Sequence, residues 1–161
     1  MLLHRRAEHT MGMPASASSH RWSAAEVRDL IQEDRAWPRY ELIDGELLVT
    51  SSPTKAHQRA VRLLISALDV YVESAGLPYE VFTSPADLEL ERDTIVQPDV
   101  FVAPLAAGDE ADEWASVHRL LLAVEILSPS TARYDRTVKR RFFVERVDVA
   151  EYWIVDVDAR V

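Results

Sequence analysis

Leu120-Leu-Leu-Ala-Val-Glu-Ile-Leu127, closed by Ser128-Pro129, is the stretch on which the fold turns. Apart from Glu125 it is apolar on both alternating faces, the pattern of a strand buried between two layers in the middle of a sheet. Proline at 129 disfavours continuation, because it restricts the backbone of the residue before it. Glu125 is the anomaly. A carboxylate in a central strand loses its hydration and is costly unless it is paired or metal-bound. A salt bridge to an arginine at the strand's end would account for it as well as a reaction centre would. Its place three residues before Ser128 puts it near the strand's C-terminal mouth, where α/β sheets take ligands.

Downstream, residues 132–147 mix basic and apolar positions and read as a helix, and Glu151-Tyr-Trp-Ile-Val-Asp-Val-Asp as a final strand. Upstream, residues 79–103 hold three strand-like runs: Tyr79-Glu-Val-Phe, Asp87-Leu-Glu-Leu-Glu and Val96-Gln-Pro-Asp-Val-Phe-Val. Residues 104–118, rich in Ala and acids, read as a loop. Residues 56–75 carry an apolar stripe at helical spacing (His57, Val61, Leu64, Leu68, Val72) that ends at Gly76 and Pro78. Tyr40–Thr50 contains two β-favouring runs around Asp44-Gly45, a type I′ hairpin signal. Ser23 with Glu26 three residues on forms a capping box for a short amphipathic helix that stops before Pro38. Helices alternating with strands give an α/β sheet with helices packed on it, in a single domain over 21–161. Residues 1–20 read as a disordered leader. A sheet whose sequence stops just past a strand leaves an edge open, an expectation that C-terminal sheet is missing.

Composition narrows the function. The 161 residues are 48% hydrophobic and 28% charged, with no cysteine, so a disulfide framework, a thiolate zinc site and a cysteine nucleophile are excluded. No apolar run approaches the ~18–20 residues needed to span a bilayer, and nothing marks a secretory signal, so the expectation is a cytoplasmic protein. The net charge of −9 opposes non-specific adhesion to nucleic acid, although local charge at a site can override it. The densest positive charge is Arg133, Arg136, Lys139, Arg140 and Arg141, the best candidate for phosphate contact.

Asp99, after Pro98 and before Val-Phe-Val, is a second acid in an apolar strand. Proline there suggests an edge, a first position or a bulge that aims Asp99 into a cleft; a turn-forming Pro-Asp pair is the plain alternative. Two acids on two strands could share Mg²⁺, which favours oxygen ligands and keeps waters. Lys139 is ambiguous. With Asp135 it makes a favourable (i, i+4) pair worth ~0.2–0.5 kcal/mol on an exposed helix. If its helix folds back over the strands, its ammonium could instead orient water and offset phosphate charge. His57 opens the long helix, where it could meet a phosphate or simply bond to nearby backbone.

Six ordered segments then carry a resemblance: Tyr40-Glu-Leu-Ile-Asp-Gly-Glu-Leu, Ser52-Pro-Thr-Lys-Ala-His57-Gln, Gln97-Pro-Asp-Val, Val124-Glu-Ile-Leu-Ser-Pro-Ser-Thr, Asp135-Arg-Thr-Val-Lys and Glu151-Tyr-Trp-Ile-Val-Asp. Over roughly residues 22–158 the chain resembles the Uma-two family of bacterial endonucleases with a PD-(D/E)xK-type fold. The resemblance implies a restriction-endonuclease-like core, a mixed sheet flanked by helices, acting on DNA with Mg²⁺ (Mn²⁺ substituting), no nucleotide cofactor, and a homodimer. Asp99 and Glu125 match its two metal-binding acids, helped by the carbonyl of Ile126. The usual lysine position, two residues after the second acid, is Leu127 here, and Lys139 matches a lysine moved to the next helix. Glu46 resembles a further family acid, with Glu41 an equal rival. Arg133, Arg136 and Arg140 would contact phosphate. Phe143 stands where relatives tend to have tyrosine, and Asp148 where glycine is expected. Such divergence, with the acidic balance, keeps a second expectation open: a catalytically inactive module that retains the fold for binding or oligomerisation.

Overall fold

A computed structural model describes residues 20–31, 38–105, 114–147 and 149–159. The leader expected over 1–20 falls almost wholly outside these residues, as do Asp148 and the last two positions. The first helix, α1 (Ala24–Ile31), starts at the capping box read from the sequence. Ser23 N–H donates to Glu26 Oε2 (2.8 Å), and Glu26 N–H donates back to Ser23 Oγ (3.3 Å). Strands β1 (Arg39–Ile43) and β2 (Glu46–Thr50) pair antiparallel around Asp44 (φ 54°) and Gly45 (φ 73°). Both turn residues occupy the left-handed region that a type I′ turn demands.

The long helix α2 (Lys55–Ser74) is capped by Thr54, whose side chain accepts from the His57 N–H, and it ends before Gly76 at φ 60°. Four strands form the main sheet: β3 (Tyr79–Thr83), β4 (Val100–Pro104), β5 (Leu122–Ile126) and β6 (Glu151–Val155). Their order is β3-β4-β5-β6, antiparallel except for the parallel β5–β6 pair, so the sheet is mixed and β5 is interior, as Leu120–Leu127 requires. All five residues of β5 are buried.

Two apolar layers cover the sheet. Val100, Val102, Leu122, Val124 and Ile126 meet Val61 of α2 on one side. Phe101, Ala103 and Ala123 meet Phe142 and Phe143 on the other. Those two phenylalanines come from a helical run over 132–146, in which an α turn (Ala132–Tyr134) is followed by π turns at Asp135–Lys139 and Phe142–Arg146. The helix expected over 132–147 is therefore present, with two widened turns that no propensity argument would show.

Two strand expectations need correction. Asp87–Glu91 is not a strand: only Leu88 bridges, to Val96, and the chain turns through Asp93 at φ 55°. The third run begins its strand at Val100 rather than Val96. The apolar–acid alternation was real, with Leu88 fully buried, but it marks a short arm that docks the hairpin. Leu42 and Ile95 exchange both backbone hydrogen bonds (2.7 and 2.9 Å), which tethers β1 to the segment just ahead of Asp99. No described helix is long and apolar enough to cross a membrane.

Candidate active site

The β4–β5 ladder pairs Val100 with Val124. One step beyond that register Asp99 stands opposite Glu125, and opposed side chains on one face of an antiparallel pair are near neighbours. The Ile126 N–H, next along β5, donates to Asp99 Oδ2 at 2.9 Å. The first turn of α2 supplies a second contact to the same oxygen, from His57 Nε2 at 3.0 Å. The histidine expected at a phosphate or at nearby backbone is thus spent on Asp99. Its other ring nitrogen, Nδ1, is buried without a hydrogen-bond partner.

Glu125 meets the helical run. Lys139 Nζ lies 2.9 Å from Glu125 Oε1, 2.9 Å from Glu41 Oε1 and 3.8 Å from Asp135 Oδ1. All four side chains are buried, each at 5% exposure or less. This overturns the surface reading of Asp135 and Lys139: the spacing is right, but the pair faces inward. Glu41 Oε1 also accepts the backbone N–H of Gln97 (2.8 Å), so the hairpin strand β1 and the Gln97-Pro-Asp99 approach close the cluster from the far side. Of the two rival acids, Glu41 is the one that meets Lys139. Glu46 starts β2 on the exposed side of the turn and lines an outer groove with Asp44, Arg141 and Arg146. Facing alone does not separate them, because the hairpin register pairs Ile43 with Glu46 and so sets Glu41, Ile43 and Glu46 on one face; Glu41 lies farther from the turn, where Gln97 meets it.

Three carboxylates around one ammonium set the electrostatics. Burial opposes the Lys139 charge, yet Glu125, Glu41 and Asp135 outweigh it and hold its pKa well above the usual lysine value. Burial pushes Glu125 well above the carboxylate range; Lys139 pulls it back, while Asp99, Asp135 and Glu41 push further. Asp135 is raised too, again mainly by burial. Lys139 therefore keeps its proton, and burial inclines Glu125 and Asp135 toward their protonated forms. Burial likewise raises the phenols of Tyr134 and Tyr152, which line the cluster as neutral groups. Tyr152 donates to the Asp135 carbonyl at 2.8 Å. Arg39 is partly buried nearby, its pKa lowered by burial against the pull of Asp99, Glu41 and Glu125.

Among the described residues, no group of three or more His, Cys, Asp or Glu side chains is arranged to hold a metal ion. The donors present do fit a hard divalent cation in kind. Asp99 Oδ2 accepts from His57 and Ile126, and Glu125 Oε1 accepts from Lys139. Asp135 Oδ1 is a buried acceptor without a hydrogen-bond donor. Oxygen donors and surplus negative charge are what such a cation needs. Arg133, Arg140 and Arg141 are exposed on the outer face of the helical run, and Arg136 there reaches Asp156 at 3.4 Å. Sequence reasoning did not anticipate the Gln97 backbone donor or the two half-buried tyrosines. Tertiary packing, rather than local pattern, places them.

The fold has a counterpart among solved structures. It superposes on a structure described as a "putative nuclease belonging to DUF820" from Anabaena variabilis with a TM-score of 0.60, at 19% identity, over 81% of this chain and 73% of that one. The Uma2 family, described as "Putative restriction endonuclease", matches residues 24–161, and the chain belongs to it. The chain is also 28% identical over 128 residues to "Uncharacterized protein sll1609" of Synechocystis sp., covering 79% of this chain and 71% of that protein.

Proposed function

We propose that the chain is a divalent-metal-dependent endonuclease that hydrolyses phosphodiester bonds of DNA, with Asp99, Glu125 and Lys139 as its reaction centre. The observation that carries this is the buried Lys139–Glu125 contact beside Asp99, because an ion pair that costly to bury is seldom kept for stability alone. Asp99, Glu125 and the Ile126 carbonyl would hold the cation, Mg²⁺ or Mn²⁺. Bound there, it would supply Lewis-acid stabilisation of phosphate charge and ease deprotonation of the attacking water. Lys139, held protonated, offers its ammonium to the negative charge that grows on the phosphate as water adds and the bond to the 3′ oxygen breaks. Glu41 anchors that ammonium from the hairpin side and acts through it. Arg133, Arg140 and Arg141 present guanidinium groups to the backbone of the duplex, offsetting the −9 net charge locally. Assembly as a homodimer, which would let two centres address both strands, belongs to the same reading.

The test is nicking of supercoiled plasmid by purified protein in Mg²⁺ or Mn²⁺, with EDTA as control. Asp99→Ala, Glu125→Ala and Lys139→Ala are each expected to abolish it. A wild-type protein that cuts no nucleic acid in either metal refutes the enzyme.

One observation favours a second reading. The Lys139 ammonium is clamped between Glu125 and Glu41, a pairing made within the protein itself, as in an inactive module that keeps the fold for binding. Such a module would show no Asp99-dependent Mn²⁺ binding.

A further inference from the structure

We infer that His57 is a positioning residue for Asp99, acting by a hydrogen bond from its ring that fixes one carboxylate oxygen so that the other is presented for a divalent cation. The inference rests on the metal-binding reading of Asp99 given above and adds to it a residue outside the acid–lysine set.

The geometry is specific. Asp99 stands one residue ahead of β4, where the ladder register sets its facing but not the torsion of its carboxylate. Its carbonyl is held from β3, by Thr83 Oγ1 (2.8 Å) and the Ser84 N–H (3.3 Å). Its carboxylate is held at Oδ2, by the Ile126 N–H from β5 and by the His57 ring from α2. Two donors from different elements on one oxygen pin the torsion of a short side chain. A single donor would leave it free to swing about that bond, and carboxylate ligands are commonly fixed by such outer contacts. His57 is itself well fixed. It stands in the first turn of α2, its N–H held by the Thr54 hydroxyl (3.2 Å), and its side chain is only 11% exposed. Since Nδ1 is buried without a partner, a hydrogen placed there would have no acceptor. The form with hydrogen on Nε2, pointing at Asp99, avoids that loss.

Solvent offers no substitute donor of equal rigidity in so enclosed a place. Removing the ring hydrogen bond should therefore weaken cation binding without removing a ligand. Outer contacts of this kind are worth about 10–100-fold in metal affinity.

The experiment is calorimetric titration of Mn²⁺ alone into the full chain and into His57→Leu, His57→Gln and Asp99→Ala, with the thermal midpoint of each recorded. Leucine fills the space without donating, whereas glutamine can carry an amide N–H to about the position of Nε2. The expected result is binding that Asp99→Ala eliminates, His57→Leu weakens about tenfold or more, and His57→Gln largely restores. Equal affinity in wild type and a folded His57→Leu overturns the role of His57 and leaves the metal site standing. The same holds if glutamine fails to restore what leucine lost although its thermal midpoint matches wild type. Absence of Asp99-dependent binding in the wild type overturns both readings together.

Discussion

Replacing Lys139 with methionine tests whether the ammonium holds the site together. Methionine keeps an unbranched chain of similar length and removes only the charge. Glu125 and Glu41 each lose a 2.9 Å ion pair, and Asp135 its 3.8 Å partner, at positions with almost no access to water. Breaking a buried pair from one side costs about 3–5 kcal/mol, because the partner charge is left uncompensated. For a chain of this length, ~1 kcal/mol moves the thermal midpoint by about 2–4 °C, so a fall of roughly 6–20 °C is expected near neutral pH. The loss depends on pH in a determined direction. Without Lys139, burial, Asp99, Asp135 and Glu41 all raise Glu125 above its unfolded value of 4.5. A native state that binds more protons than the unfolded state loses stability as pH climbs through that interval. In wild type, Lys139 contributes fully below its unfolded value of 10.5, and that contribution falls away as pH climbs from there through its raised native value, so it is constant between pH 5 and 8. Glu125 is raised in wild type as well, but Lys139 holds it lower than it stands in Lys139→Met. The gap between wild type and Lys139→Met should thus widen from pH 5 to pH 8. Urea denaturation at both values, read by tryptophan fluorescence, measures it. A gap of ~0.5 kcal/mol or less that ignores pH is what an exposed (i, i+4) pair would give, and it would refute the buried cluster.

Two further outcomes concern exposed features. Arg140→Ala with Arg141→Ala should weaken binding of duplex DNA in EDTA for every sequence alike. The slope of log K against log salt should flatten by ~0.9 for each phosphate no longer neutralised; fluorescence anisotropy across a KCl series decides it, and an unchanged slope removes these arginines from the interface. Ser23→Ala removes the hydroxyl arm of the capping box, which accepts from the Glu26 N–H and donates to Glu26 Oε2, and should cost about 0.5–2 kcal/mol. A thermal midpoint equal to wild type would show that the box does not hold α1.

The core strand was the most legible part of the chain, because burial on both faces leaves its mark in composition: Leu120–Leu127 admits little else. The Asp44-Gly45 turn, the Ser23–Glu26 cap and the Thr54–Ser74 region were equally plain, being set by residues a few positions apart. Leu88 and Leu90 misled because alternation reports facing, not pairing, and the arm they occupy bridges at one residue pair instead of forming a ladder. At the site, Asp99 and Glu125 could be singled out as acids where apolar residues belong. The choice of Glu41 over Glu46 could not, since both share one face of the hairpin and only the tertiary approach of Gln97 and Lys139 tells them apart. His57 had no readable partner, because Asp99 lies 42 positions away and meets it only when α2 packs across the sheet.

The helical run that delivers Lys139 carries a consequence for how this chain can change. In a motif that places acid and lysine on one strand, the spacing between them is fixed by the strand itself. Here 14 positions separate Glu125 from Lys139, and a connection and two helical turns intervene. Each residue added or removed within the helical run ahead of Lys139 would turn the ammonium by about 100° around the helix axis, given 3.6 residues per turn. Those turns can therefore vary in composition more readily than in length. A single-residue insertion there would carry Lys139 out of its buried slot and set Val138 in its place. A π turn, which absorbs one surplus residue and leaves the downstream helix in phase, is the form such an insertion must take to survive, and Asp135–Lys139 has that form.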